Sequence, residues 1–202
     1  AYDVSDPSNM TEVGRYRSSL SNGLAVAHNV KVLNDFLVVA YYNDGVNIVD
    51  ASRPHNMIEV GYYDTNPASG GGYNGVWGLD CFLPSGTIVA CDMSEGVWIL
   101  DPTYVRACYL EGQVTDASTG NALPGATITV LSTPAHDVAD PGGNFATGLA
   151  DAGTHTVRYS KYGYHDSLVT ANFMNGVLIT HNIALRPRAR VQLHVNIIDA
   201  YT

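Results

Sequence analysis

The chain has 202 residues, 46% apolar and only 14% charged, with a net charge of −9. That balance describes a globular chain rather than a disordered one, and its acidity argues against nucleic acid or an anionic membrane surface as partner. No segment approaches the roughly 18 consecutive apolar residues of a membrane-spanning helix.

Thirteen Tyr and twenty Gly, with no long stretch of helical periodicity, point to an all-β extracellular protein. Met10 to Tyr16 reads as an outer strand whose own unit lies upstream. The chain opens inside that unit without an initiator Met, as expected of a mature or excised piece of something longer. Leu24 to Leu33 is the next expected strand, followed by a turn at Asn34-Asp35. Phe36 to Tyr42 is a continuous apolar run, as expected of a strand buried on both faces. Asn43-Asp44-Gly45 predicts a hairpin turn, because these residues tolerate positive φ. Val46 to Ala51 follows, Ser52-Arg53-Pro54 breaks it, and Met57 to Tyr63 completes a four-stranded unit from Leu24 to Asp64. A second unit supplies Val76 to Phe82, Thr87 to Cys91 and Gly96 to Leu100, with a turn at Asp92 to Glu95 and no fourth strand.

These units repeat. Tyr2 to Tyr16 aligns with Val49 to Tyr63 at an offset of 47 residues, with nine of fifteen positions identical. The identities include Asp3/Asp50, Pro7/Pro54, Glu12/Glu59, Gly14/Gly61 and Tyr16/Tyr63. Gly45 to Asp50 recurs as Gly96 to Asp101 at an offset of 51. A strand-rich period near 50 is that of a propeller blade, yet about two repeats fall short of the roughly four that close a propeller.

Asp35 to Asp50, Pro54 and Glu59 to Thr65 resemble the LVIVD repeat, and Asn74 to Gly78 with Phe82 to Gly86 resembles the propeller end of choice-of-anchor B family proteins. The resemblance spans residues 1–105. It implies a β-propeller displayed on a bacterial surface or secreted, with no established activity; the upstream blades of that family have no counterpart here.

The second half changes character. Leu110 to Gly120, Ala122 to Val130, Asp140 to Phe145, Ala152 to Tyr159, Tyr162 to Tyr164 and Asn182 to Pro187 are short alternating runs with Gly, Pro and Asp turns between them, the pattern of a small β-sandwich. Their order resembles the carboxypeptidase regulatory-like, or prealbumin-like, domain over residues 109–187, an accessory module that implies no peptidase chemistry. Residues 188–202 read as a linker and an extra strand, because Leu193 to Thr202 echoes Leu110 to Thr119 at an offset of 83. Arg186, Arg188 and Arg190 cluster there as a solvated linker.

Candidate sites are sparse. Cys81 and Cys91 flank the turn Leu83 to Gly86, so a bridge across a hairpin is expected, the alternative being that all three cysteines are small buried apolar residues. Cys108 is left over. Asn9-Met10-Thr11 is one glycosylation triplet. Asp44, Asp64, Asp80 and Asp92, with His28 nearby, fall at strand ends and could gather around calcium; the competing reading is turn caps bonding their own backbone. Tyr41, Tyr42, Tyr62, Tyr63, Tyr73 and Trp77 could stack on sugars or pack between blades. No elbow serine, zinc-protease or phosphate-loop motif is present in the sequence, so no enzyme is expected.

The expected function is a non-catalytic extracellular structural protein that joins its neighbours by β-strand addition, extending to a filament. The strands expected at the interface carry Met10, Val13 and Tyr16 at the start, and Val191, Leu193, Val195 and Ile197 at the end. The alternative is a carbohydrate- or peptide-binding module of a larger anchored protein; a hydrolase completed elsewhere is a third.

Overall fold

The computed structural model describes residues 1–18, 20, 24–67 and 72–189. The tail positions Val191, Leu193, Val195 and Ile197 lie outside the described residues. Among the described residues the architecture is all-β, in five sheets.

A ribbon of β1 (Tyr2–Asp3) and β2 (Thr11–Glu12) opens the chain. The first repeat sheet runs β3 (Asn29–Leu33), β4 (Phe36–Ala40), β5 (Val46–Asp50) and β6 (Ile58–Tyr63) as an antiparallel meander. The second repeat sheet has three strands, β7 (Val76–Asp80), β8 (Ile88–Asp92) and β9 (Gly96–Leu100). The expected strand Leu24 to Leu33 is formed only from Asn29. Ala25 instead makes an isolated parallel bridge to Gly72.

The two repeat sheets pair their strands in one register. Leu37 lies opposite Val49 and Val38 opposite Ile48; in the second sheet Ile88 lies opposite Leu100 and Val89 opposite Ile99, each position 51 residues on. The opening ribbon obeys the same rule at 47 residues: Tyr2↔Glu12 and Asp3↔Thr11 reproduce Val49↔Glu59 and Asp50↔Ile58. The ribbon therefore corresponds to the last two strands of a repeat sheet, and its inner member, Tyr2–Asp3, escaped the sequence reading because two residues show no alternation.

Side chains alternate across a strand, so each sheet has two faces. One face of the first sheet, Phe36, Val38, Ala40, Val46 and Ile48, is its forward face. It packs on the rear face of the second sheet, where Leu79, Cys81, Ile88, Ala90, Trp98 and Leu100 lie, and these residues form one core. The rear face of the first sheet carries Leu37, Val39 and Tyr41, which pack against Tyr16 and Ala25. Tyr16 is thus fixed by the ring of Tyr41, edge-on at 6.2 Å, and by a hydrogen bond from its hydroxyl to Glu59. A Cβ on Gly14 would stand 1.9 Å from the Pro54 carbonyl, so only glycine lets this segment lie so close.

The hairpin between β4 and β5 has positive φ at Tyr42 (44°) and Gly45 (73°) rather than at Asn43 and Asp44. An aromatic residue in the left-handed region is uncommon. Here Tyr42 is held by paired backbone hydrogen bonds with Val76, at 3.2 and 3.0 Å, which clip the hairpin to the start of β7.

The second half is a two-sheet sandwich. One sheet orders β13 (Asn144–Leu149), β10 (Cys108–Asp116) and β16 (Leu178–Leu185), with β10 and β16 parallel. The other orders β12 (His136–Val138), β11 (Thr127–Val130), β14 (Gly153–Ser160) and β15 (Ser167–Phe173). Leu110, Val114, Ile128, Val130, Val157, Tyr159 and Phe173 fill the space between them.

Gly75 tests the clip. Its φ is +96° and a Cβ would meet the Tyr42 carbonyl oxygen at 2.4 Å. Gly75→Ala is expected to lower urea-unfolding stability by about 1–3 kcal/mol. Gly86→Ala, at φ +81° with open space around it, is expected to cost only about 1 kcal/mol of backbone strain.

Candidate interaction surface

The forward face of the second repeat sheet has no cover among the described residues. Val89, Cys91, Val97 and Ile99 occupy the positions that Val38, Ala40, Val46 and Ile48 fill in the first sheet, 51 residues earlier. In the first sheet these four are at most 7% exposed. Val97 is 67% exposed and Ile99 64%. Each such side chain left in water forgoes about 1.5–3 kcal/mol of burial.

The same sheet stops at β9. The first sheet continues from β5 to β6, but β9 pairs with β8 alone among the described strands. Beside its free edge runs an open groove of about 470 Å³, lined by Ile48, Gly61 and Tyr63 of the first sheet and by Trp98, Ile99 and Leu100 of β9. The groove lies where a fourth strand would run. Tyr63 already reaches across it, with its ring 5.4 Å from that of Trp98.

A second surface joins the repeats to the sandwich through the turn Ser52 to Asn56. Arg53 donates two hydrogen bonds to Glu111, at 2.7 and 2.6 Å, and its guanidinium lies 5.7 Å from the Tyr109 ring centroid. Asn56 donates to Glu111 at 3.0 Å and to the Thr147 carbonyl at 3.1 Å, and His55 adds a contact to Glu111 at 3.1 Å. Asp50, fully buried, accepts from Arg106 and from the Ala107 and Ser52 backbone amides. Burial opposes the charge on Glu111, but the hydrogen bonds from Arg53, Asn56 and His55 outweigh it and hold its carboxyl down at about 2. Burial likewise raises the Tyr109 hydroxyl to about 12. None of Asp50, Arg53, Arg106 and Glu111 was singled out from the sequence. The available signal was the repeat itself, since Asp6 stands where Arg53 does, so the turn had changed its partner.

Of the expected interface residues, Met10 is 61% exposed, Val13 is exposed and Tyr16 is docked on the first sheet. Asn9 is exposed in the turn between β1 and β2. The aspartates do not converge. Asp64, Asp80 and Asp92 each accept a backbone amide two residues on, from Asn66, Phe82 and Ser94, and Asp44 is buried in its hairpin. Among the described residues no three His, Cys, Asp or Glu side chains gather as a metal site.

The expected Cys81–Cys91 bridge is not formed, and all three cysteines are free thiols. The register explains this. Cys91 lies opposite Gly78, while Asp80 lies opposite Val89, so the two thiols sit several rungs apart on opposite faces. Cys81 is buried in the core and Cys91 is exposed on the open face. The aromatic set divides: Tyr41 and Tyr42 are buried, whereas Tyr62, Tyr63, Tyr73 and Trp77 are exposed. His28 brings Tyr42 and Trp77 together, with ring centroids at 5.1 and 4.8 Å, and Tyr73 extends the group at 5.7 Å from Tyr42.

In comparison with known proteins, residues 2–18 and 26–65 match the LVIVD repeat and residues 110–195 match the CarboxypepD_reg-like domain. No curated protein matches the chain. Among solved structures it is similar to a type II cohesin–X-dockerin complex from Acetivibrio cellulolyticus, at 22% identity and TM-score 0.32, over 38% of this chain and 52% of that one. The minor pilin of Streptococcus agalactiae matches at 12% identity and TM-score 0.35, over 57% of this chain and 66% of that one. The major pilin of Bacillus cereus matches at 11% identity and TM-score 0.34, over 52% and 40%. The chain thus spans about half the length of the cohesin–dockerin chain.

Glu111 ionises more readily folded than unfolded, so its contribution is complete above about pH 4.5 and lost as pH falls towards 2. At neutral pH the shift corresponds to roughly 3 kcal/mol. Glu111→Gln is expected to be less stable than wild type by about that order at pH 7, with the gap closing by pH 2–3 in urea titrations. A gap independent of pH would mean that Glu111 contributes by packing alone.

Proposed function

We propose that this chain, which joins LVIVD repeats to a carboxypeptidase regulatory-like domain, is a non-catalytic extracellular structural protein whose subunits associate by β-strand addition. The observation that carries this reading is the second repeat sheet, which among the described residues has an open edge at β9, a groove beside it and an apolar forward face in water. An unpaired edge next to apolar surface is a template for another strand. Main-chain hydrogen bonds would supply affinity there, and the groove wall of Ile48, Gly61 and Tyr63 would select the side chains. Because the acceptor edge and the opening ribbon are different surfaces, the contact is head-to-tail. Such contacts form a ring where the rotation closes and a filament where it does not. Among the described residues no helix is long and apolar enough to cross a membrane.

Sedimentation of the full chain from about 1 to 200 μM is expected to show mass rising above the 21.6 kDa monomer as concentration increases. A single 21.6 kDa species throughout would sink the self-association reading.

A second reading, a glycan-binding module, is favoured by the exposed rings of Tyr73 and Trp77 set around Tyr42 and His28. Exposed aromatic faces stack on sugars. It predicts glycan-array binding that Trp77→Ala weakens about tenfold, on the order of the 1–1.5 kcal/mol of an aromatic contact.

A further inference from the structure

We infer that the rear face of the first repeat sheet holds a hard divalent cation, calcium, between Asp44, Asn47 and Glu59. The inference stands apart from self-association, since all three residues belong to one sheet of one chain.

The local structure brings the three together. Asn47 is the second residue of β5 and lies opposite Val39 on the rear face. Residues 59 and 62 are three apart, so in a regular strand they would point to opposite sides. The bulge at Ile48/Val49 puts Glu59 opposite Val49 and Tyr62 opposite Asn47, both rear-face positions. Bulges re-aim side chains in this way. Asn47 then donates from Nδ2 to Glu59 Oε2 at 3.3 Å, and the Tyr16 hydroxyl donates to the same oxygen. Asp44 stands in the hairpin just before β5.

The oxygens point to an ion. Asn47 is 0% exposed and Asp44 2%. Asn47 Oδ1 and Asp44 Oδ2 are both buried without a hydrogen-bond partner, which is unfavourable for an amide oxygen and more so for a carboxylate. Because Oδ1 shares its amide with Nδ2, it lies beside the Glu59 carboxylate. Burial holds the Glu59 carboxyl above the ordinary range, and the nearby Asp44 charge adds to this, against the hydrogen bonds from Tyr16 and Asn47. Among the described residues neither carboxylate has an ion-pair partner. A divalent cation neutralises the two carboxylates and turns both orphaned oxygens into ligands. The set is all oxygen, which suits calcium, and it lacks the thiolate or imidazole that zinc takes. Two carboxylates and an amide leave coordination positions for water. Glu59 lines an open cleft of about 950 Å³ between β6 and the sandwich, which gives water and ion a way in.

The repeat supplies an internal comparison. At the offset of 51 residues, Trp98 stands for Asn47 and the exposed Glu95 for Asp44; at the offset of 47, Tyr63 stands for Tyr16. There the tyrosine ring packs on the indole at 5.4 Å. Apolar filling therefore suffices at this position of the repeat, and packing does not call for the acidic set of the first sheet.

Calorimetric titration of calcium into the chelator-stripped full chain is expected to give one saturable site with Kd of about 0.1–1 mM, the range of extracellular modules. Asp44→Asn and Glu59→Gln keep each side chain's shape and remove its charge, and each is expected to weaken binding more than about tenfold. Glu95→Gln, at the corresponding position of the second unit, is expected to leave binding unchanged. Circular dichroism checks that each variant folds. In the wild-type chain, calcium is expected to slow amide hydrogen exchange at residues 43–47 and 58–62 and to leave β14 and β15 unaffected; this measurement needs no variant. No saturable binding up to about 10 mM calcium, or binding that both carboxamide variants retain, would overturn the site. Protection confined to other segments would overturn it too. Calcium binding with these signatures in a chain that stays monomeric would uphold the site while removing self-association.

Discussion

A sheet that is apolar on both faces has to be covered on both, and that single requirement organises the first half of this molecule. Phe36, Val38, Ala40, Val46 and Ile48 leave water only because Ile88, Ala90, Trp98 and Leu100 stand opposite them. Leu37, Val39 and Tyr41 do so because Tyr16 and Ala25 lie over them. Each cover is itself part of a repeat, so satisfying one sheet exposes the need for the next. The stack ends on Val97 and Ile99, and there the requirement is unmet within the described residues.

Charge plays a different part. With only 14% charged residues, the chain concentrates its strongest ionic contacts where repeats meet sandwich. Arg53 and Glu111 form a two-pronged pair, and Arg106 joins Asp50 to Asp35. Asp50 is buried and is matched by the Arg106 guanidinium and backbone amides, which is what a charge in a dry site requires. This junction fixes the direction in which the sandwich leaves the stack. It leaves β9 and its groove on a separate surface, so one contact does not obstruct the other.

The two halves of the chain were unequally legible. In the sandwich, alternating apolar residues and Gly, Pro and Asp turns announce strands directly, because each strand has one wet and one dry face. In the repeats, Phe36 to Tyr42 was legible as a run buried on both faces and Val46 to Ala51 as the strand after the turn; the strands formed are Phe36–Ala40 and Val46–Asp50. The β3 strand was overextended: its ladder with β4 starts at Asn29, just after the His28 amide bonds the Ala40 carbonyl, while Ala25 bridges to Gly72. The hairpin signal Asn43-Asp44-Gly45 gave the right place and the wrong conformation, since the clip to Val76 puts the left-handed turn on Tyr42. The cysteine expectation failed on parity: spacing along the chain says that Cys81 and Cys91 flank a turn, but only the strand register says that they point to opposite faces.

The sequence alone determined the all-β class and the order of LVIVD-like repeats before a carboxypeptidase regulatory-like segment, because these are written in periodicity and in identities such as Asp3/Asp50 and Tyr16/Tyr63. The tertiary structure decided which faces meet, which stay open and where the repeats grip the sandwich. Those outcomes depend on side chains distant in sequence, Arg53 with Glu111 or Tyr63 with Trp98, and no local pattern specifies a partner that only folding brings near.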